Sequence, residues 1–305
     1  MPNPKQVAVS GSRGFVGARL VAELKHRGYE VIRLLHTSKR DLQPDELIWN
    51  SESGLAKPQA LNGVGAIIHL AGRNIASARW SEAEKNRLYD SRVSATKQLV
   101  KQLLTLEDRP SVFIGASAVG IYGECGNSEV DESHSPGNDF LSEVARDWEA
   151  ATLPLSAAGV RVAHARLGVV LDPAEGALAK MLPLFRWGLG GRLGSGKQYW
   201  SWVAIEDVIQ GLCWLLENPQ AAGPYNLVAP QPVTNSEFTT KLANAMGRPA
   251  VFPAPKFALR LALGEMADAI LLTSCRAVPR KLLSDGFQFQ NPDLTTWLEK
   301  QLLKG

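Results

Sequence analysis

The sequence predicts an α/β fold, a doubly wound parallel sheet with a smaller C-terminal substrate-type domain, and three observations carry that prediction. Short β-branched runs alternate with helical periods through the first half of the chain, the first run empties into a glycine-rich turn, and the alternation stops near Asp172-Pro173. Strand, helix, strand repeats give parallel pairing with helices covering both faces of the sheet.

Residues 7–9 form the first strand. Residues 15–25 place apolar side chains at helical spacing, and Gly28 stops that helix. A second strand covers 30–35, and after a polar excursion residues 66–70 give a buried strand running into Ala71-Gly72. One helix is expected over 81–104, because Leu88, Val93, Leu99, Val100 and Leu103 repeat on one face. A strand follows at 111–117, a helix at 139–158 and a strand at 161–167. Residues 1–172 are therefore assigned to a Rossmann-type domain, to which 203–228 return through a helix at 208–216 and a strand at 225–227. Residues 173–202 and 229–305 make up the smaller domain. Within it, 257–272 reads as an amphipathic helical region that Arg260, Glu265 and Asp268 interrupt, so it cannot span a bilayer.

Composition narrows the function classes. The 305 residues are 45% hydrophobic, and 33 basic and 30 acidic side chains are spread along the chain for a net charge of +3. Nucleic acid binding needs a concentrated basic stripe, which this pattern lacks. Cys125, Cys213 and Cys275 lie far apart without a CxxC pair, which argues against a disulfide framework or zinc site and for a reducing compartment. The start, MPNPKQVAVSGSRG, enters an apolar strand too early for a secretory signal. The expectation is a cytoplasmic protein with neither nucleic acid nor membrane as partner, either an oxidoreductase or epimerase-like enzyme on a small-molecule substrate or a non-catalytic regulatory binding protein.

Gly11, Gly14 and Gly17 in GSRGFVG follow the first strand and open the first helix. Glycines there allow a tight turn and close backbone approach to pyrophosphate, and the helix N-terminus supplies free N–H groups and partial positive charge. The loop residues Gly11, Ser12, Arg13, Gly14, Phe15, Val16 and Gly17 are therefore assigned to a dinucleotide. A ribose 2′-hydroxyl is ordinarily met by Asp or Glu about 20 residues on. The segment instead reads His36-Thr37-Ser38-Lys39-Arg40, and with Arg13 it suits a 2′-phosphate. NADP(H) is the expected cofactor, with His36, Ser38 and Lys39 at its adenosine end.

Further segments resemble the extended short-chain dehydrogenases/reductases: HLAG at 69–72, VGIYG at 119–123, RLGVVLDP at 166–173 and VAIEDV at 203–208. LAGRNIASARW at 70–80, SAVGIYG at 117–123, DFLSEVARDWE at 139–149, GLGGRLGSGKQYWSWV at 188–203 and RAVPRKLLSDGF at 276–287 are similar to an atypical branch of the NAD-dependent epimerase/dehydratase family. That branch includes SulA-like proteins and has a characteristic C-terminal region. The resemblance implies that Leu70, Ala71 and Gly72 line the cofactor.

Ordinary members of that family transfer protons through a Tyr in YxxxK, a nearby Lys and a Ser or Thr. Here the Ser position falls on Ala118, beside Ser117, and the Tyr and Lys positions on Phe140 and Val144; a shift of one residue gives Leu141 and Ala145. None of these apolar side chains exchanges a proton or carries a charge. Tyr122 is the best remaining proton donor, with Ser117 as its hydrogen-bond partner; the competing reading packs Tyr122 at the sheet edge. His69, inside an apolar strand, reads as a satisfied core histidine. Arg73, Arg79 and Arg92 are candidates for phosphate contacts, and Arg73 and Arg79 are placed at the cofactor. Trp200 and Trp202, with Tyr199, would line a substrate cleft or pack the core, both tryptophans on one strand face.

Overall fold

The computed structural model describes residues 2–36 and 41–302. Among the described residues, eight strands form the central sheet: β1 (Asn3–Ser10), β2 (Glu30–Leu35), β3 (Glu46–Asn50), β4 (Gly54–Leu55), β5 (Val64–His69), β6 (Val112–Ala118), β8 (Arg161–Leu167) and β12 (Gly223–Leu227). Their order is β12-β8-β6-β5-β1-β2-β3-β4, parallel except for the β3–β4 hairpin. The chain winds outward in both directions from β1, so the turn after β1 sits at the switch point where such sheets bind ligands.

Short strands stand outside this sheet: β7 (Glu129–Val130) pairs with β14 (Arg276–Ala277), β9 (Val169–Leu171) with β11 (Trp202–Ala204), and β10 (Tyr199–Trp200) with β13 (Val233–Thr234). One sheet face packs on α1 (Phe15–His26) and α7 (Ile205–Glu217) through Val7, Val9, Leu20, Leu24, Val208 and Leu212. The other face carries α3 (Val93–Leu103) and α5 (Leu153–Ala157) through Ile67, Leu99, Phe113 and Leu155. A separate apolar cluster joins α6 (Gly176–Arg186), α8 (Asn235–Met246) and α11 (Leu294–Leu302) around Phe185, Trp202, Phe238 and Trp297.

Four elements depart from the periodic reading. The helix expected over 81–104 is two, α2 (Glu82–Asp90) and α3, because Ser91 and Arg92 turn their side chains back to Leu88 O and leave the helix at Arg92 (φ −112°). The helix expected over 139–158 is α4 (Phe140–Ala150), capped by the Asp139 side chain, and α5, whose Pro154 lacks an N–H to continue the ladder. The region 257–272 divides into α9 (Lys256–Leu263), which ends at Gly264 (φ +66°), and a single π-type turn (Ala267–Leu272). The polar excursion hides β3 and β4, whose apolar stretch Leu47-Ile48-Trp49 is only three residues long.

The two tryptophans of the expected aromatic cleft lie on separate strands. Trp200 pairs with Val233 and packs on Phe238, while Trp202 pairs with Val169 and packs on Trp297. Both are buried, so they hold the C-terminal core and do not line a cleft. Cys125 and Cys275, 150 residues apart in sequence, share one apolar cluster beside the β6–α4 loop; both are free thiols.

Candidate functional site

The glycines of the first loop are forced by close contacts. Gly11 has φ +67°, and a Cβ there would stand 2.9 Å from the Leu70 carbonyl carbon. A Cβ on Gly17 would lie 2.1 Å from Gly11 O, so only glycine lets α1 start this close to the loop. A Cβ on Gly14 would come to 3.2 Å from Gly11 O, and Gly14 is the N-cap of α1, with no side-chain cap and no acidic residue in the first turn. The N–H groups of Phe15, Val16 and Gly17 and the positive end of the helix dipole are left for an outside anion.

A cavity of about 930 Å³ opens in front of this loop. Gly11, Ser12, Arg13 and Gly14 form one wall, Leu34 to His36 at the end of β2 another, and Leu70 to Arg73 a third. Trp49, Ser51 and Glu52 from the β3–β4 hairpin and Arg87, Asp90, Ser91, Ser94 and Gln98 from α2 and α3 complete it; none of these was assigned from sequence. Ser12 and Trp49 line the cavity, and their Oγ and Nε1 are buried donors without a partner among the described residues. Buried donors of this kind call for hydrogen-bond acceptors. The residues present thus fit a dinucleotide, whose pyrophosphate the loop and the start of α1 would hold. Such a group, when bound, supplies hydride at its nicotinamide.

The basic side of the cavity is shared with carboxylates. Arg13 lines it and reaches to 3.7 Å from Glu46, whose nearer cation is Arg33 at 2.9 Å. Arg33 also holds Asp45 at 3.1 Å and, with Lys25, keeps that carboxyl below its usual range. These acids are engaged by arginine, and His36, the one described residue of the expected basic segment, lines the cavity. Residues 37–40, with Ser38 and Lys39, lie outside the described residues.

Leu70, Ala71 and Gly72 are held in place from below. Ser10 Oγ accepts the Ala71 N–H at 3.2 Å and bonds His69 Nδ1 at 2.7 Å, and His69 Nε2 meets Thr96 Oγ1 at 3.0 Å. Burial pushes the fully enclosed His69 down to about 4, so the ring is neutral and structural. Arg73 lines the cavity while its guanidinium grips Glu84 at 2.5 and 3.1 Å. Arg92 does not reach the cavity: it donates to Arg73 O at 2.8 Å beneath the turn, stacks over Trp148, and is lowered to about 10 by burial. Arg79 is also absent from the cavity wall, lying instead against Gly264 at the end of α9.

Phe140, where the resemblance predicts the family's tyrosine, lies in apolar surroundings. Phe140 meets Trp80 edge-on at 5.4 Å, with Lys85 over its ring at 5.5 Å. Leu141, Leu263, Met266 and Ile270 fill the surrounding space, and Lys85 is tied to Glu265 at 2.7 Å. Val144 and Ala145 are buried. Residues of the C-terminal segment thereby cover Phe140.

Tyr122 is enclosed as well. It donates to Asn226 Oδ1 at 2.7 Å and accepts from Arg166 at 2.9 Å. Burial raises it to about 12, against the pull of Arg166. Ser117, expected beside it, donates to Glu149 at 2.7 Å instead, because Arg166 stands between them and holds Glu149 through two bonds, at 2.8 and 2.9 Å. Ser117, Arg166 and Asn226 are register partners across β6, β8 and β12. That row is invisible until the strand order is known.

With this geometry in view, the comparisons agree with the fold. The model of the NAD dependent epimerase/dehydratase family matches residues 7–228, and that of a domain of unknown function, DUF1731, matches residues 254–301. The chain belongs to the NAD dependent epimerase/dehydratase family. It is 45% identical over 285 residues to an epimerase family protein of Mycobacterium bovis, covering 93% of each chain. The crystal structure of human epimerase family protein SDR39U1 (isoform 2) with NADPH matches at TM-score 0.90 and 31% identity, over 98% of this chain and 100% of that one. A nucleoside-diphosphate sugar epimerase structure from Corynebacterium glutamicum matches at TM-score 0.79 and 34% identity, over 98% of this chain and 58% of that one. Among the described residues, no helix is long and apolar enough to cross a membrane.

Proposed function

We propose that this protein binds NADP(H) in the cavity before the glycine loop and does not use the tyrosine acid of its family. The observation that carries this reading is the contrast between the two halves of the site. On the cofactor side, Ser12 Oγ and Trp49 Nε1 are buried donors awaiting acceptors. On the reaction side, Phe140 is packed under Trp80 and Met266. The NADPH in the human relative's structure and the position of Arg13 support the phosphorylated nucleotide.

In this reading Tyr122 and Ser117 are positioning groups that hold the ends of β6, β8 and β12, and nucleotide occupancy stabilises the conformation that a partner or substrate meets. A second reading, an oxidoreductase or epimerase acting on a small molecule, is favoured by the same polar row at the carboxyl ends of the strands. The two are separated by incubating protein and NADPH with aldehydes, ketones and nucleotide sugars, following nicotinamide absorbance and analysing products. The first reading expects binding without turnover; product formation abolished by Tyr122→Phe would establish the second.

A further inference from the structure

Most of the exposed large apolar side chains among the described residues fall in one region. Trp187 is 81% exposed at the end of α6, followed by Leu189. The chain 190–194 then runs beside 252–254 through Phe252 N–H to Gly190 O, Ala254 N–H to Arg192 O and Gly194 N–H to Ala254 O. This brings Val251 and Phe252 alongside Leu189, and α9 follows with Phe257 and Leu261 outward at 73% and 77% exposure. Phe257 and Leu261 are four residues apart, on one face of a helix without a buried residue. A contiguous patch of this kind marks an interaction surface.

Charge selects the occupant. Residues 176–194 and 247–261 together carry Lys180, Arg186, Arg192, Arg248, Lys256 and Arg260, all exposed, and no Asp or Glu. The rest of the chain is close to balanced, so the basic excess is local to the apolar patch. Asp268 offsets part of it by pairing with Arg260 at 2.8 Å and Lys256 at 3.7 Å. A second copy docking by two-fold symmetry would set this basic rim against itself, which disfavours self-association. Exposed Trp, Phe and Leu among Lys and Arg, on a short amphipathic helix, is the composition that lies in a lipid interface.

We propose that the face formed by the end of α6, residues 249–253 and α9 binds peripherally to an anionic lipid surface, with Trp187, Phe252, Phe257 and Leu261 entering the headgroup region. This departs from the sequence expectation that no membrane is involved. That expectation rested on the lack of a spanning segment, and a surface helix needs none.

The test is co-flotation of the full chain with vesicles of phosphatidylcholine alone and with an added third of phosphatidylglycerol. Flotation is expected only with the anionic vesicles and is expected to fall as salt is raised, because exposed charges are screened. The double variant Trp187→Ser, Phe257→Ser should lose about tenfold or more in binding, from the lost burial of two aromatic side chains. Arg186→Gln with Arg248→Gln should weaken binding while sparing the apolar anchors. Circular dichroism and thermal unfolding, unchanged in both variants, keep the comparison to folded protein. Equal flotation with both vesicles, or none with either, overturns the proposal. A concentration-dependent dimer abolished by the same substitutions would overturn it in favour of a second copy.

Discussion

Arg166 on β8 clamps Glu149 on α4 through two charge-assisted hydrogen bonds, at 2.8 and 2.9 Å, and spends its remaining arm on the Tyr122 hydroxyl. A single buried cation thus ties a helix, a strand and the loop after β6 to Asn226 and, through the Asn226 amide, to Val278 O in the C-terminal segment. Removing one partner of a buried pair leaves the other charge unsolvated. Glu149→Ala is expected to cost about 3 kcal/mol of stability, read from denaturant midpoints. Glu149→Gln should cost less, since it keeps an acceptor for Ser117.

The same pair sets an acid limit. Burial alone would raise Glu149, but the hydrogen bonds from Arg166 prevail and hold it below the usual glutamate value. A carboxyl depressed in the folded state contributes stability above its unfolded pKa and loses that contribution as pH falls through the folded value. Chemical denaturation of wild type and Glu149→Gln should therefore converge in strong acid and differ most above the ordinary carboxylate range.

His69 titrates in a different window. Its folded pKa, lowered by burial to about 4 from 6.5, keeps the neutral ring favoured in the native state. Stability tied to this ring is complete above pH 6.5 and declines as pH falls toward 4, by about 3 kcal/mol in total. His69→Gln, which cannot charge, should flatten the stability profile across that interval. An unchanged slope would show that another group is responsible.

The glycine loop makes a steric prediction. Gly17→Ala puts a methyl 2.1 Å from Gly11 O, where backbone must move. Despite the better helix propensity of alanine, the variant should unfold more easily, by about 1–3 kcal/mol, and lose nucleotide affinity, as titration calorimetry would record.

Much of the cofactor side was legible because its signals are local. GSRGFVG directly after a β-branched run specifies a turn and a helix start within seven residues, and the contacts of Gly11 and Gly17 show why those positions must be glycine. Trp49 was hidden because β3 is short and lies between polar stretches. Arg79 and Arg92 carried the right chemistry, but their direction depends on Gly264 and on the Arg73 carbonyl, partners that no spacing rule supplies. In the sequence Arg166 belongs to the strand segment RLGVVLDP, and nothing there marks it as a buried charge. Its role comes from lying between Ser117 and Asn226 in three neighbouring strands whose order the sequence does not contain. Likewise the cover over Phe140 comes from residues 263–270, more than a hundred positions downstream.

The central claim is that the loop and its basic side chain hold the phosphorylated nucleotide. Titration calorimetry with NADPH and NADH, on wild type and Arg13→Ala, tests it most directly. The account predicts one site with NADPH bound more tightly, and a loss of about tenfold for NADPH alone on removing Arg13. Equal affinities for the two nucleotides in the wild type, or binding of neither, would contradict it.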